Sequence, residues 1–170
     1  SSYGGVSSSV AGALINVTKI FSTDSAFAAL RADGSVVTWG DSSYGGDSTN
    51  VASKLDGTVD VTQVFSTDLA FAALRADGSV VTWGNSSYGG DSTNVASKLD
   101  GIVDVTKIFS TGIAFAALRA DGSVVTWGNS TNGGDSSSVA NKLDGTVDVT
   151  QIFSTGIAFA ALRADGSVVT

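Results

Sequence analysis

The sequence predicts an all-β protein, a β-propeller built from four antiparallel blades of about 44 residues per chain. Two observations carry this prediction. Trp39, Trp83 and Trp127 are spaced by 44 residues, and every copy contains short runs rich in β-branched residues that surround an Asp-Gly pair. Self-similarity at this period is typical of propellers, solenoids and other repeat arrays.

The copies are nearly identical. Residues 42–85 and 86–129 differ at five positions, whereas the first copy is three residues shorter between Leu14 and Ile15 and has Val6 where the others have Asp. We therefore predict one repeat domain over residues 1–170. Its hairpin cores are expected at 15–41, 59–85, 103–129 and 147–170, and its connecting loops at 1–14, 42–58, 86–102 and 130–146.

The second copy shows how each blade is predicted to fold. Its strands are expected at residues 60–67, 70–75 and 79–84, where β-branched and aromatic residues concentrate. The pair Asp77-Gly78 lies between the last two strands and predicts a type I′ hairpin turn. Neighbouring apolar residues within one strand, such as Val80 and Val81, place apolar side chains on both faces. Both faces of each sheet are therefore expected to be covered by neighbouring blades.

The segment between blades is rich in Gly, Ser and Asp. Residues 94–99 predict one helical turn, with Ser92 or Thr93 as its N-cap. A short fourth strand at the outer edge of each blade is also considered.

The composition of the chain argues against several classes of function. The chain has no His, Cys or Glu, so the common nucleophile–base and metal-hydrolase sites cannot be assembled. We expect a non-enzyme with no catalytic residue, no cofactor and no metal. The net charge of −7 argues against nucleic acid and anionic membranes as partners.

Two repeated sets of residues are candidate ligand contacts. Asp47, Asp91 and Asp135 follow Gly-Gly and suggest either a Ca²⁺ loop or, as we favour, an Asx-turn or helix cap. Tyr44 and Tyr88 lie in the loop that follows the Trp-Gly pair, and Tyr3 and Asn132 stand at this position in the first and fourth copies. They either form shallow sites for a glycan or protein or pack against the neighbouring blade.

Other repeated residues predict structure. The aromatic residues expected in the core between blades are Trp39, Trp83, Trp127, Phe65, Phe109 and Phe153. Arg31, Arg75, Arg119 and Arg163 stand two residues before an Asp of the hairpin turn, which predicts a local solvated ion pair.

The segment AFAALRADGSVVTWGNSSYGG at residues 70–90 resembles the regulator-of-chromosome-condensation repeat, and the likeness extends over the whole chain. It is most similar to the short-repeat bacterial branch that includes the propeller-type β-lactamase inhibitor. The resemblance implies a propeller that is typically seven-bladed. No functional residue of the family is matched, so none is carried over.

Together these observations predict a non-catalytic repeat scaffold or interaction module that presents identical rim loops, secreted by a bacterium or held on its surface. The near-identity of the copies also fits a recently amplified or engineered array, and the alternative function is a lectin-like or inhibitor-like binding propeller. The sequence leaves three alternatives for how the blades close into a ring: four blades of one chain, a longer array of which this chain is a part, or two chains that together form eight blades. We favour the two-chain ring, which makes a second copy the expected partner.

Overall fold

The computed structural model describes residues 4–170, which form four three-stranded antiparallel sheets with the strands in sequence order. We number these sheets as blades 1 to 4. Their strands are β1 Val17–Ser22, β2 Ala26–Arg31 and β3 Val36–Gly40; β4 Val61–Ser66, β5 Ala70–Arg75 and β6 Val80–Gly84; β7 Val105–Ser110, β8 Ala114–Arg119 and β9 Val124–Gly128; β10 Val149–Ser154, β11 Phe159–Arg163 and β12 Val168–Val169. The prediction of an all-β chain with four antiparallel blades is confirmed.

Short 3-10 helices occupy the segment before blade 1 and the segments that join the blades. Their bounds are Ala11–Ala13, Ser42–Tyr44, Thr49–Lys54, Ser86–Tyr88, Thr93–Lys98, Ser130–Asn132 and Ser137–Lys142. The predicted turn after Ser92 is therefore a 3-10 helix, but Ser92 makes no side-chain cap hydrogen bond. The side chain of Asp91 takes that role, because its Oδ1 accepts from the N–H and hydroxyl of Thr93.

No sheet within residues 4–170 has a fourth strand. The connecting segment lies at that place and makes one ladder-like contact, in which the N–H of Val80 on β6 donates to the carbonyl of Leu99 at 2.9 Å. The outer edges of blades 1 to 3 are thus covered by a connecting segment that contains a 3-10 helix rather than by a paired strand.

The Asp-Gly hairpin differs from the predicted type I′ turn. Gly78 has φ of 73°, but Asp77 is not in the left-handed region, since Asn16 is the one non-glycine residue with positive φ among those described. The N–H of Gly78 donates to the carbonyl of Arg75, and that of Arg75 to the carbonyl of Ser79. This is a type I turn followed by a left-handed glycine. The Asp77 carboxylate favours it by accepting from both the N–H and the hydroxyl of Ser79.

The core lies between the blades, where two sheets pack face to face. Ala70, Phe71, Ala72 and Ala73 on β5 are fully buried, so both faces of blade 2 are covered as predicted. The Phe71 ring stacks on Trp83 at 5.2 Å between centroids. Trp83 and Trp127 are both 4% exposed, and the indole of Trp83 donates to the carbonyl of Gly45 in the preceding connection. These two tryptophans are inter-blade residues, as the spacing predicts.

The outer faces of the two end blades are different. Phe65 and Phe109 pack against the core of the following blade, but Phe153 is 57% exposed on blade 4. Within a single chain Phe153 does not lie between blades, because no described residue forms a blade beyond it, and its predicted place between blades stays a prediction. At the opposite end Trp39 is half-buried, since no described residue forms a blade before blade 1. Coverage of both faces therefore holds for the two inner blades.

Main-chain hydrogen bonds link the turns between the first two strands of successive blades. The N–H of Asp24 donates to the carbonyl of Asp68, that of Asp68 to the carbonyl of Gly112, and that of Gly112 to the carbonyl of Gly156.

Within the described residues, no helix is both long enough and apolar enough to cross a membrane.

Candidate binding grooves

Two polar grooves run along the outer edges of blades 2 and 3. We call them groove 1 and groove 2; their volumes are about 760 and 860 Å³. Most lining residues of groove 1 have a counterpart 44 positions later in groove 2, for example Asn50 and Asn94, or Lys54 and Lys98. The grooves are therefore two copies of one site.

Each groove has an edge strand as its floor and two connecting segments as its walls. In groove 1 the floor is β6, and the walls come from the 3-10 helices Thr49–Lys54 and Thr93–Lys98. The hydroxyl of Thr82 on the floor donates to Ser92 Oγ at 3.0 Å, and Thr126 and Ser136 are 2.9 Å apart in groove 2. These bonds fix the distance between floor and wall.

The candidate residues Asp47, Asp91 and Asp135 lie in these walls. Each accepts a hydrogen bond from the main-chain N–H two residues later, at 2.9 Å in all three cases. The favoured interpretation as Asx-turn caps is confirmed. Hydrogen bonds from the Thr49 hydroxyl and N–H hold the pKa of Asp47 below its usual value, and Thr93 does the same for Asp91. Both groups are therefore anionic at neutral pH.

The arrangement of the side chains does not support a Ca²⁺ site at these aspartates. Over residues 4–170 no three His, Cys, Asp or Glu side chains are grouped closely enough to hold a metal ion. The carboxylates are spread along the grooves, one for each connecting segment.

Basic side chains lie in the same grooves. Arg75 pairs with Asp77 at 3.5 Å in groove 1, and Arg119 pairs with Asp121 at 3.4 Å beside groove 2, which confirms the predicted local ion pairs. Such partly exposed pairs contribute little to stability. The Nε atoms of both arginines are buried and have no hydrogen-bond partner.

Carboxylates outnumber cations in both grooves. Groove 1 has four acids against Lys54 and Arg75, and groove 2 has three against Lys98 and Arg119. The acids are Asp47, Asp77, Asp91 and Asp100 in groove 1, and Asp91, Asp135 and Asp144 in groove 2. Each groove therefore has a net negative lining.

The tyrosines occupy a different place from the grooves. Tyr44 and Tyr88 are half-buried and pack against the first and second inter-blade cores, and Tyr3 lies outside the described residues. Asn132 stands at the equivalent position in the third connection, where its amide donates to Asn129 Oδ1. A ligand-binding role for the tyrosines stays a prediction.

Sequence reasoning found the aspartates of the site but missed the grooves themselves. Each groove is assembled from two connecting segments that belong to different copies, so no contiguous stretch encodes it. The available signal was the repeated Lys54, Lys98 and Lys142, each exposed at the end of a 3-10 helix.

Comparison with known proteins places this architecture in a recognised class. Residues 17–45 match the family model of the regulator of chromosome condensation (RCC1) repeat. No curated protein matches the chain significantly.

Several solved structures share the fold. Yeast RCC1 (Prp20), solved bound to Kap60, is 18% identical with a TM-score of 0.62, over 94% of this chain and 44% of the yeast chain. Human WBSCR16 is 19% identical with a TM-score of 0.55, over 89% of this chain and 46% of its own. The ectodomain of the Physcomitrella patens receptor kinase CR4 is 15% identical with a TM-score of 0.54, over 89% and 37%. The chain spans less than half the length of these three proteins.

The matched segment covers all three strands of blade 1 and the first residues of the connection that follows. The same unit recurs in blades 2 and 3 with few changes, and 94% of the chain matches the fold of yeast RCC1. Residues 17–45 therefore resemble one RCC1 repeat, and the chain has a β-propeller fold similar to that of yeast RCC1.

Proposed function

We propose that the chain is a non-catalytic protein-interaction module whose grooves bind extended polypeptide segments that carry basic residues. The observation that carries this proposal is the repetition of one polar groove, with equivalent residues, on successive blades. A site for a single small substrate needs one enclosed set of converging groups, whereas a repeated open groove suits a partner that extends over several blades.

The charge of the residues that line the grooves predicts the charge of the partner. Both grooves have more carboxylates than cations, and the aspartates are held anionic by their caps. Complementary charge steers association and selects partners. Backbone amides and hydroxyls of a polar segment can also bond to the Ser, Thr and Asn side chains that line the walls.

Known propellers of this type support a protein partner. Yeast RCC1 was solved bound to Kap60, and a second study of the yeast protein reports binding to Gsp1p and histones. Two grooves on one rigid chain would bind a repeated segment more tightly than either groove alone, because the second contact is intramolecular.

The test uses an arrayed library of unstructured peptides that differ in charge, with the 170-residue chain as the probe. We expect binding to be enriched for basic peptides and to weaken as salt increases. The triple variant Asp47→Asn, Asp91→Asn and Asp135→Asn keeps the caps, because Asn caps as well as Asp, but removes three charges. Its binding to the selected basic peptides should fall about tenfold or more, a loss within the range for close charge pairs.

The matched control is the triple variant Asp60→Asn, Asp104→Asn and Asp148→Asn, since these three exposed aspartates do not line either groove. The control should retain binding to the same peptides. Equal losses in the two variants would show a general charge effect and would contradict the groove proposal, as would an array without charge preference.

A further inference from the structure

The three interfaces between consecutive blades repeat one arrangement. In the first, Ala26, Ala28 and Leu30 of blade 1 pack against Phe71 and Trp83 of blade 2. We call the face of a blade that looks toward the next blade its leading face, and the opposite one its trailing face. The second interface brings the equivalent residues together, and the third brings together most of them but lacks the tryptophan, which has no counterpart in blade 4.

Blade 4 has an uncovered leading face. Phe153 and Val168 are 57% and 61% exposed, whereas their counterparts Phe65 and Val80 pack into the second inter-blade core. Ala158, equivalent to the fully buried Ala70, is exposed as well.

Blade 1 has an uncovered trailing face. Ile20 is 60% exposed, whereas the equivalent Val64 and Ile108 are 2% and 3% exposed. Phe27 and Trp39 stack at 5.2 Å in the same geometry as the buried Phe71–Trp83 pair. The trailing face of blade 1 is therefore preformed to receive a leading face.

The main-chain hydrogen-bonding groups of the two end blades are complementary as well. Every interface within the chain has three main-chain hydrogen bonds; in the second these are Val80 N–H to Leu99, Val105 N–H to Gly78, and Asp68 N–H to Gly112. Blade 4 presents the equivalent Val168 N–H, Gly166 carbonyl and Gly156 N–H. Blade 1 and its preceding segment present the complementary Leu14 carbonyl, Val17 N–H and Asp24 carbonyl.

We propose that the leading face of blade 4 docks on the trailing face of blade 1 of a second copy, so that two chains close into an eight-bladed ring. The occupant is a second copy because the three internal interfaces show which surface covers a leading face, and blade 1 carries that surface. A head-to-tail contact used twice about a two-fold axis closes without leaving an open edge. This inference goes beyond the proposed peptide-binding function and does not depend on it.

Sedimentation equilibrium of the 170-residue chain tests the proposal. We expect a species of about twice the chain mass of 17.0 kDa, with no larger assembly as concentration increases. A mass of one chain at every concentration would overturn the proposal. Growth beyond two copies would overturn the closed ring.

Two substitutions test the faces separately. Ile20→Asp and Phe153→Asp each place a charge on a side chain that is already more than half exposed in the single chain, so the fold of the monomer should be retained. Each variant alone should sediment as one chain, because each damages both contacts of the ring. Ile102→Asp is the matched control: Ile102 is 85% exposed and lies in a connecting segment away from both faces, so this variant should remain dimeric.

Mixing the two face variants tests direction. The leading face of the Ile20→Asp copy and the trailing face of the Phe153→Asp copy are both intact, so the mixture should form a two-chain species joined at one contact, more weakly than the wild type. If Ile20→Asp alone stayed dimeric, leading faces would be pairing with each other, and the head-to-tail proposal would be refuted.

Discussion

At the scale of single residues, Gly78 shows how closely the blades approach each other. Its φ is 73°, and a Cβ built on it would lie 2.5–2.6 Å from Asp104 at the start of the next blade. Gly166 occupies the same turn of blade 4 with φ of 81°, but a Cβ there would meet nothing within 4 Å. The two glycines therefore separate backbone strain from contact between blades.

Gly78→Ala is expected to lower the free energy of unfolding by about 2–4 kcal/mol, because left-handed strain and a clash with backbone add together. Gly166→Ala should cost only about 1 kcal/mol in the single chain, from strain alone. Urea denaturation of both variants, at a concentration where the chains are monomeric, gives the comparison. Equal losses would show that blades 2 and 3 can separate at this turn without cost.

Asp68 is a second informative residue, because its carboxylate lies at the inner turn of blade 2 near Asp24. Burial, and then the neighbouring charge of Asp24, raise the pKa of Asp68 above its usual value. A carboxyl whose pKa is raised by folding is more costly to ionise in the folded state than in the unfolded state. The free energy of unfolding therefore falls as pH increases through the carboxyl pKa range, and the loss persists at neutral pH. The third and fourth copies have Gly112 and Gly156 at this position.

Asp68→Asn should therefore increase the free energy of unfolding at pH 7, and the gain should shrink as pH falls below the ordinary carboxyl range, where Asp68 is protonated in both states. Urea titrations of the variant and the wild type between pH 3 and pH 7 (roughly the span that contains the carboxyl pKa values) measure this difference. A gain that is independent of pH would mean that charge is not its cause.

At the scale of elements, local patterns determine most of what the sequence could predict. Strand β5 occupies residues 70–75 as expected, and β4 lies within one residue of its predicted ends, because β-branched runs and Asp-Gly turns are short-range signals. The turn type was wrong because Asp-Gly suits two hairpin types, and the Ser79 contacts with Asp77 decide between them.

Exposure and grooves could not be predicted from local sequence. Phe65 and Phe153 have nearly the same neighbours along the chain, yet one is packed and the other is exposed, because burial depends on the presence of a following blade. The grooves likewise depend on segments from two copies meeting over an edge strand.

The third interface differs from the first two at two places: the connecting segment has no tyrosine, and β12 of blade 4 has no tryptophan to match Trp83 and Trp127. Asn132 replaces Tyr44 and Tyr88, and a mostly apolar cavity of about 160 Å³ lies at this interface, lined in part by Gly133 and Phe159. Asn132→Tyr should raise the free energy of unfolding by about 1 kcal/mol, since a ring packed there buries apolar surface. Thermal and urea unfolding measure the change.

The reciprocal substitution Tyr88→Asn is the control, and should lower stability by about 1–2 kcal/mol by opening the second interface. Destabilisation by Asn132→Tyr would indicate that the hydrogen bonds of the Asn132 amide matter more than packing at this interface.

At the scale of the whole molecule, stability is expected to be graded from the middle outward. In a repeat array each unit contacts its neighbours only, so a unit with two neighbours is held better than a unit with one. Blades 2 and 3 have two neighbours in the chain, and blades 1 and 4 have one.

Amide hydrogen exchange should therefore be slowest in β5 and β8 and fastest in β12 when the chain is dilute. At concentrations that favour the two-chain ring, protection of β1 and β12 should rise while that of β5 changes little. Uniform protection across all four blades in a monomeric sample would contradict nearest-neighbour stabilisation.

The near-identity of the copies has a consequence for how the chain reaches this state. A strand that emerges early meets several sequences able to receive it, in its own chain and in others, and the wrong choices resemble the right one in almost every side chain. Refolding at high concentration should therefore trap interlocked molecules that exchange a blade, and dilution during refolding should favour the correct order. Duplication that makes a scaffold simple to encode also makes its assembly ambiguous.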